Sequence, residues 1–386
     1  MRSLLHWIPL TLLGLTAACA GTDTEGAELN TAMISARGSY ADLMFANYSD
    51  LVGLVTSLQT SVDTYVAAPD APNLQAAKDA WNLARPYYEQ AEVARFYGGP
   101  IDALHGDLNA APIDGLYIDY VVGDANSGII NDAAGFPTID DVVLRGANGV
   151  GSAFNVASGW HAAEFLLWGE DLDVNGPGAR PFVDYTATLN FARRVTYLEV
   201  VASMLVDDMT ALRDEWAPNT GTYRTQFLTA SAGTGVTRAL SGMATLGLSE
   251  LRNERILIPY TSQDEGDEHS NFSDTTHLDL INNGIGIRNI WTGTYDAFDN
   301  AFDYDGFGMD DLFVVGDAAS GVTVTNSINA LVVALQAQVT PFDAAILGAD
   351  TVPGRLALLA CMDRLNDFNV AMLAGGSALG LTVTSN

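Results

Sequence analysis

Residues 158–171 read Ser158-Gly159-Trp160-His161-Ala162-Ala163-Glu164-Phe165-Leu166-Leu167-Trp168-Gly169-Glu170-Asp171. The run is apolar enough to be buried, yet it carries one histidine and one acid within its apolar part. His161 and Glu164 stand three apart, which places them on one helix face with Cβ atoms roughly 5–6 Å apart. Phe165 and Trp168 repeat that spacing beside them. Two titratable groups among large apolar side chains must pair, lose charge or hold an ion. One reading is a self-satisfied pair, with His161 donating a hydrogen bond to Glu164 in a helical core. The other is a metal-ligand or acid/base pair presented by Gly159-x-His161-x-x-Glu164. Imidazole nitrogen with carboxylate oxygen suits iron, zinc or copper. Two ligands do not make a site, so others must come from elsewhere in the chain.

Outward from this run the periodicity is helical. Residues 31–66 keep an apolar face through Leu43, Leu51, Leu54, Val55, Leu58 and Val62. Residues 186–217 do so through Leu198, Val201, Leu205, Met209, Leu212 and Trp216. Segments 236–257, 325–348 and 353–374 also read as helices, and no run alternates strongly enough for a strand. The expected fold class is all-α. Asn73 is placed to cap the helix that carries Trp81. From Gly98 to Ser158 the chain is rich in Gly, Pro, Asn and Asp, which predicts short turns and helices over the surface. A connection of that length is expected to line a site. Asn175-Gly176-Pro177-Gly178 is a second break, and a boundary near residue 185 would divide 31–185 from 186–386.

Trp81, Arg85, Tyr88 and Glu92 are spaced four, three and four, which is one helix face. Pro86 interrupts it by removing a backbone hydrogen bond, so the helix should kink or restart there. Either this is an exposed amphipathic helix with an Arg85–Glu89 pair, or Arg85, Tyr88 and Glu92 point into a cleft. The stretch 262–279 holds two of the five histidines, His269 and His277, among Glu268, Asp274 and other acids. It reads as a solvated acidic loop followed by a helix with Thr276 and Asp279 in a capping box, or as a second contributor of polar groups to the site. Asp303-x-Asp305-Gly306 has the look of a calcium loop but fails at its first and twelfth positions, Ala301 and Leu312.

Met1 to Cys19 reads as an export signal: Arg2, a short apolar core from Leu4 to Leu15, and a small-residue cleavage site. Thr16-Ala17-Ala18-Cys19 resembles a bacterial lipobox, which would make Cys19 the lipidated N-terminus, with 20–30 as a tether. Ala20 after Cys19 would favour the outer membrane. No second long apolar run stands out, so the membrane is expected to be met only through the lipid anchor. Cys361 is the other cysteine and lies in an apolar helical stretch, so neither a disulfide framework nor a cysteine zinc site is expected. The net charge is -30, with Lys78 the only lysine. Nucleic acid and anionic lipid need a basic face and are excluded as partners. The acids are spread along the whole chain, which fits a salty habitat as well as cation attraction.

Several stretches together resemble the imelysin family of bacterial envelope proteins. They are Ala80-Trp81-x-x-Ala84-Arg85-Pro86-Tyr87 with Glu92 and Arg95-Phe96, Gly99-Pro100-Ile101-Asp102, Asn109-Ala110-x-Pro112-Ile113-Asp114 and Tyr117-Ile118-Asp119. The likeness continues through Gly159 to Gly169, Gly178-x-Arg180-Pro181, Glu250-Leu251-x-x-Glu254-Arg255 and Asp267-Glu268-His269-Ser270-x-Phe272-Ser273-Asp274-x-Thr276-His277. Asn271 and Thr275 depart from the pattern, where cysteine and asparagine are common. The resemblance implies two four-helix-bundle-like halves packed together, an internal duplication, and a site at their junction built on G-x-H-x-x-E. It implies a periplasmic or surface lipoprotein tied to iron uptake, in a family classed as metallopeptidases. The expected ligands are His161, Glu164 and Glu92, for iron first and zinc second. Arg85, Tyr88, Asp274, His277, His269 and Glu268 are the expected further binding groups. The favoured function is non-catalytic handling of a metal ion or iron-bearing ligand, with no partner transporter identified. A metallopeptidase, and a metal-free peptide or anion module anchored by Arg85, are the alternatives.

Overall fold

The structure is a computed structural model that describes residues 17–385, with side chains from residue 26 onward. The export signal falls largely outside the described residues, as does the side chain of Cys19. The first helix, Ala17–Ala67, already includes 20–30, where the sequence suggested a tether. Ala27, Glu28 and Leu29 are good helix formers, and Leu29 packs on the core.

The main helices among the described residues fall into two groups of four. The first holds Ala17–Ala67, Ala71–Ala91, Gly159–Trp168 and Phe191–Trp216, each packed on its neighbours. The face of the last through Tyr197, Leu198, Val201, Leu205 and Met209 is buried, and the helix packs along the first. The second group holds the run from Ala232 to Leu257, Thr276–Thr292, Ala318–Gln336 and Pro353–Ala378. The groups meet where Ala71–Ala91 lies on Thr276–Thr292. There a Cβ on Gly286 would stand 2.4 Å from the Gln90 carbonyl, so only glycine lets the two backbones approach this closely.

Several local expectations are corrected. Asp70, not Asn73, caps the second helix: its carboxylate accepts the Asn73 N–H at 2.8 Å. Pro86 neither ends nor restarts that helix, whose buried face through Leu74, Trp81, Ala84 and Tyr88 holds it continuous. Thr275, rather than Thr276, stands at the cap of Thr276–Thr292, and Asp279 is turned inward instead of closing a capping box. The expected helix over 325–348 is two, Ala318–Gln336 and Phe342–Ile346. By length and composition Ala318–Gln336 is apolar enough to cross a membrane, with mean hydropathy 1.4, which the sequence reading passed over. Its apolar face through Val324, Ile328, Leu331 and Leu335 packs on the last helix and on Thr276–Thr292. The only strands among the described residues are Thr294–Tyr295 and Tyr304–Asp305, where Asp303 accepts the Ala297 N–H and closes a hairpin. Cys361 is buried, and burial pushes its thiol up to about 12, so it is inert at neutral pH.

The 98–158 connection consists of short helices at Pro100–Leu108, Gly115–Ile118, Gly128–Asn131 and Asp141–Ala147. It meets the site at two points. Asn109 follows the first short helix and is buried in the centre. Leu108 packs under Gly159, whose φ is +83° and where a Cβ would stand 2.3 Å from the Leu108 carbonyl. Only glycine fits the first position of the G-x-H-x-x-E helix.

Candidate functional site

The centre lies where the two helix groups meet. Ala71–Ala91 supplies Arg85 and Glu89, and the turn after it supplies Glu92. Gly159–Trp168 supplies His161 and Glu164. A π-helical run, Leu246–Leu257, carries Arg255; such segments recur at functional sites. Asp279 and Asn283 come from Thr276–Thr292, and His269 from the loop before it. All of these side chains are buried.

Arg85 holds the middle. Its Nη2 stands 2.8 Å from Glu89 Oε1, an ion-pair contact without hydrogen-bond alignment, and 3.3 Å from both His161 Nε2 and Asp279 Oδ2. Nε donates to Asp279 Oδ1 at 3.2 Å, and Nη1 donates to Asn109 Oδ1. The guanidinium also lies 5.5–5.8 Å from the rings of Trp81, Tyr88 and Trp160, in reach of their π faces. Tyr88 serves as wall, since its hydroxyl has no partner.

The partners fix the imidazole protons. Arginine only donates, so His161 Nε2 accepts from it and Nδ1 carries the proton toward Glu164 Oε2 at 2.8 Å. His269 Nδ1 lies 2.7 Å from Asp279 Oδ2 and 3.3 Å from Arg85 Nη2; the shorter carboxylate contact, with the Asn109 amide facing Nε2 at 3.4 Å, puts the proton on Nδ1, which donates to Asp279. Burial, and then neighbouring arginines, hold both imidazoles well below their usual range, so each is neutral. Glu164 Oε1 accepts from the Ser273 N–H at 2.9 Å and hydroxyl at 2.6 Å, and burial still pushes its carboxyl up to about 8. Burial likewise raises Glu89 well above its range, against the pull of Arg85. Glu92 goes the other way. Burial opposes its charge, but Arg255 at 2.6 Å and Arg95 at 3.0 Å hold it well below the usual range. Asn109 and Asn283 supply its remaining bonds.

His161, Glu164, Glu92, Arg85 and His269 are therefore brought together as the sequence suggested, but not as an open ligand set. Every oxygen of Glu92 is already bonded, and His161 Nε2 is turned to a guanidinium. Ligand atoms of Glu89, His269 and Asp279 do lie within 4.8 Å of one another. Arg85 Nη2 stands among them, where a metal ion would be. The residues do not fit a resident metal here, because a fixed organic cation fills the position. Asp274 and Glu268 lie outside this network, beside Asp171 and Asp343. His277 is half-buried, its Nδ1 is unpartnered, and it joins neither group.

The sequence reading did not single out Asn109, Arg255, Asp279, Ser273 and Asn283 as members, and named Glu89 only as the partner of Arg85 in one of its two readings of that helix. Asn109 and Arg255 both fall in the family-like motifs, which was the available signal. The centre nears the surface at a crevice of about 70 Å³ lined by Pro112, Glu250, Glu254, Arg255, Asp267 and His269 among others, room for roughly two waters.

A sequence model of the imelysin family, described as Imelysin (Peptidase_M75), matches residues 44–370. "Iron-regulated protein A" of Synechococcus elongatus is 25% identical over 304 residues, 74% of this chain and 73% of that protein. Among solved structures, a protein assigned as an iron-regulated protein A precursor from Parabacteroides distasonis superposes with a TM-score of 0.69 at 17% identity, covering 91% of this chain and 95% of that one. An imelysin-like protein from Psychrobacter arcticum gives 0.64 at 14%, covering 92% and 98%. These two likenesses speak for the all-helical fold.

Proposed function

The chain belongs to the imelysin family, and from that premise we propose that it is an exported, envelope-anchored, non-catalytic protein of iron handling. In this reading the His161–Glu164 centre fixes the junction of the helix groups and meets metal only at its acidic rim. The observation that carries it is Arg85 Nη2 lodged among Glu89, His161 and Asp279. A zinc peptidase needs about three protein ligands, an open coordination position and a general base. Here the position is taken by arginine, and Glu164 is bonded on both oxygens. Glu250, Glu254 and Asp267 line the crevice beside the single guanidinium of Arg255, and a mouth in which carboxylates outnumber cations concentrates counter-ions. The name of the Synechococcus relative supports iron as the metal, and the lipobox-like Cys19 supports anchoring.

The test is paired. The purified chain is incubated with insulin in the presence of zinc or ferrous iron, and metal uptake is measured by equilibrium dialysis. The reading expects no cleavage above that of Glu164→Ala, and iron uptake that survives His161→Ala. Cleavage lost in both Glu164→Ala and His161→Ala would establish the peptidase instead.

A further inference from the structure

Beside the centre lies a second group of acids that the function above does not use. Asp171 follows the G-x-H-x-x-E helix, Glu268 and Asp274 flank the loop that carries His269 and Ser273, and Asp343 sits on the short helix Phe342–Ile346. Glu268 and Asp343 are each 1% exposed, and Asp171 and Asp274 each 8%. Seven of their eight carboxylate oxygens accept no hydrogen bond from a donor outside the group and instead face one another's carboxyls, Asp171 against Asp274 and Asp343 against both Asp274 and Glu268; the eighth, Oδ1 of Asp171, accepts from the Asp173 N–H at 2.9 Å. No arginine, lysine or histidine forms an ion pair with any of the four among the described residues. The Thr276 hydroxyl lies beside Glu268 without hydrogen-bond geometry.

An uncompensated buried carboxylate costs several kcal/mol, and four facing one another cost more. Buried acids of this kind are found paired or on a metal. Oxygens of Asp171, Asp274 and Asp343 all lie within 4.8 Å of one another. Ligands about 2.3–2.6 Å from one calcium ion can be no more than roughly 5 Å apart, so the three oxygens have the spacing that one cation spans with small side-chain adjustments. Glu268 faces Asp343 and Asp274, aimed into the same space with both oxygens unpartnered. The donor set is oxygen only, which selects hard cations over zinc or copper. A surface pocket of about 300 Å³ lined by Ser262, Asp264 and Glu265 meets the group at Asp343.

We propose that Asp171, Glu268, Asp274 and Asp343 form a binding site for a hard di- or trivalent metal cation. The site is separate from the arginine-filled centre but shares its loop. Ser273, which bonds Glu164, adjoins Asp274, and His269 adjoins Glu268. A bound cation therefore also pins the loop that completes the centre.

The experiment is a melting curve of the purified chain stripped with chelator, in 0.5 M NaCl to screen surface acids. Calcium, magnesium, manganese and, without oxygen, ferrous iron are added singly. At least one is expected to raise Tm, and which one does so names the cation. The Asp274→Asn/Asp343→Asn variant is expected to lose that response while melting above the stripped wild type, because like charges have been removed. The single variant Asp171→Asn, at the rim, is expected to raise the half-saturating cation concentration by at least about tenfold. No response to any cation in the wild type would overturn the proposal, as would an unchanged response in Asp171→Asn. The result is independent of His161, so it cannot be confused with a failure of the peptidase and dialysis test.

Discussion

Replacing Arg85 by alanine tests the centre from its middle. The substitution leaves Glu89, Asp279 and His161 buried without their shared cation. Glu89 keeps Arg255 at 2.7 Å, so the carboxylate left without its arginine is Asp279, and removing one partner of a buried ion pair costs about 3–5 kcal/mol. It also vacates the point that Arg85 Nη2 occupied, with ligand atoms of Glu89, His269 and Asp279 within 4.8 Å of one another and His161 Nε2 alongside. Two carboxylates and imidazole nitrogen around an empty position make a first-row metal site. The variant is expected to lose about 3–5 kcal/mol in urea unfolding without metal. Cobalt or zinc should then restore much of it, about 2.7 kcal/mol at a metal concentration a hundred times the Kd. Cobalt also supplies an absorbance band that reports nitrogen coordination. The reasoning is refuted if Arg85→Ala unfolds within about 1 kcal/mol of wild type, or if wild type shows the same cobalt band.

Gly159→Ala places a Cβ against the Leu108 carbonyl at a φ of +83°, and should cost about 1–3 kcal/mol from the backbone alone, measured by urea unfolding; a neutral effect would mean that the helix start is not fixed. Glu164 carries a folded-state carboxyl at about 8 against an ordinary 4.5. A raised acid contributes its stability below the lower value and loses it as pH climbs through the higher one. Glu164→Gln should therefore gain on wild type between pH 5 and 9, by up to a few kcal/mol; unfolding curves that stay parallel over that range would contradict this.

The fold and half of the centre were legible because they rest on local spacing. His161 with Glu164, and Trp81 with Arg85 and Tyr88, share helix faces at three and four residues, and the helix periods survive even across Pro86. What a spacing cannot give is the partner on another helix. Asp279 reads as a capping acid, and only the approach of Thr276–Thr292 to Ala71–Ala91 turns it to Arg85. For the same reason the sequence could find the ligand-type residues but not the arginine filling the space between them. The four-acid group was less legible still. Asp171, Asp274 and Asp343 are about a hundred and about seventy residues apart in a chain full of acids. The family likeness singles out Asp274 and Glu268, but nothing joins Asp171 and Asp343 to them until burial separates the four from the solvated remainder.

Crystals soaked separately in ferrous, zinc and terbium salts, with anomalous maps recorded at each metal edge, test the central claim most directly. The account predicts that Arg85 stays in place with no peak within about 2.5 Å of His161 Nε2, and that the hard cation appears among Asp171, Glu268, Asp274 and Asp343. A metal bound to His161 and Glu164, with Arg85 swung aside, would contradict it.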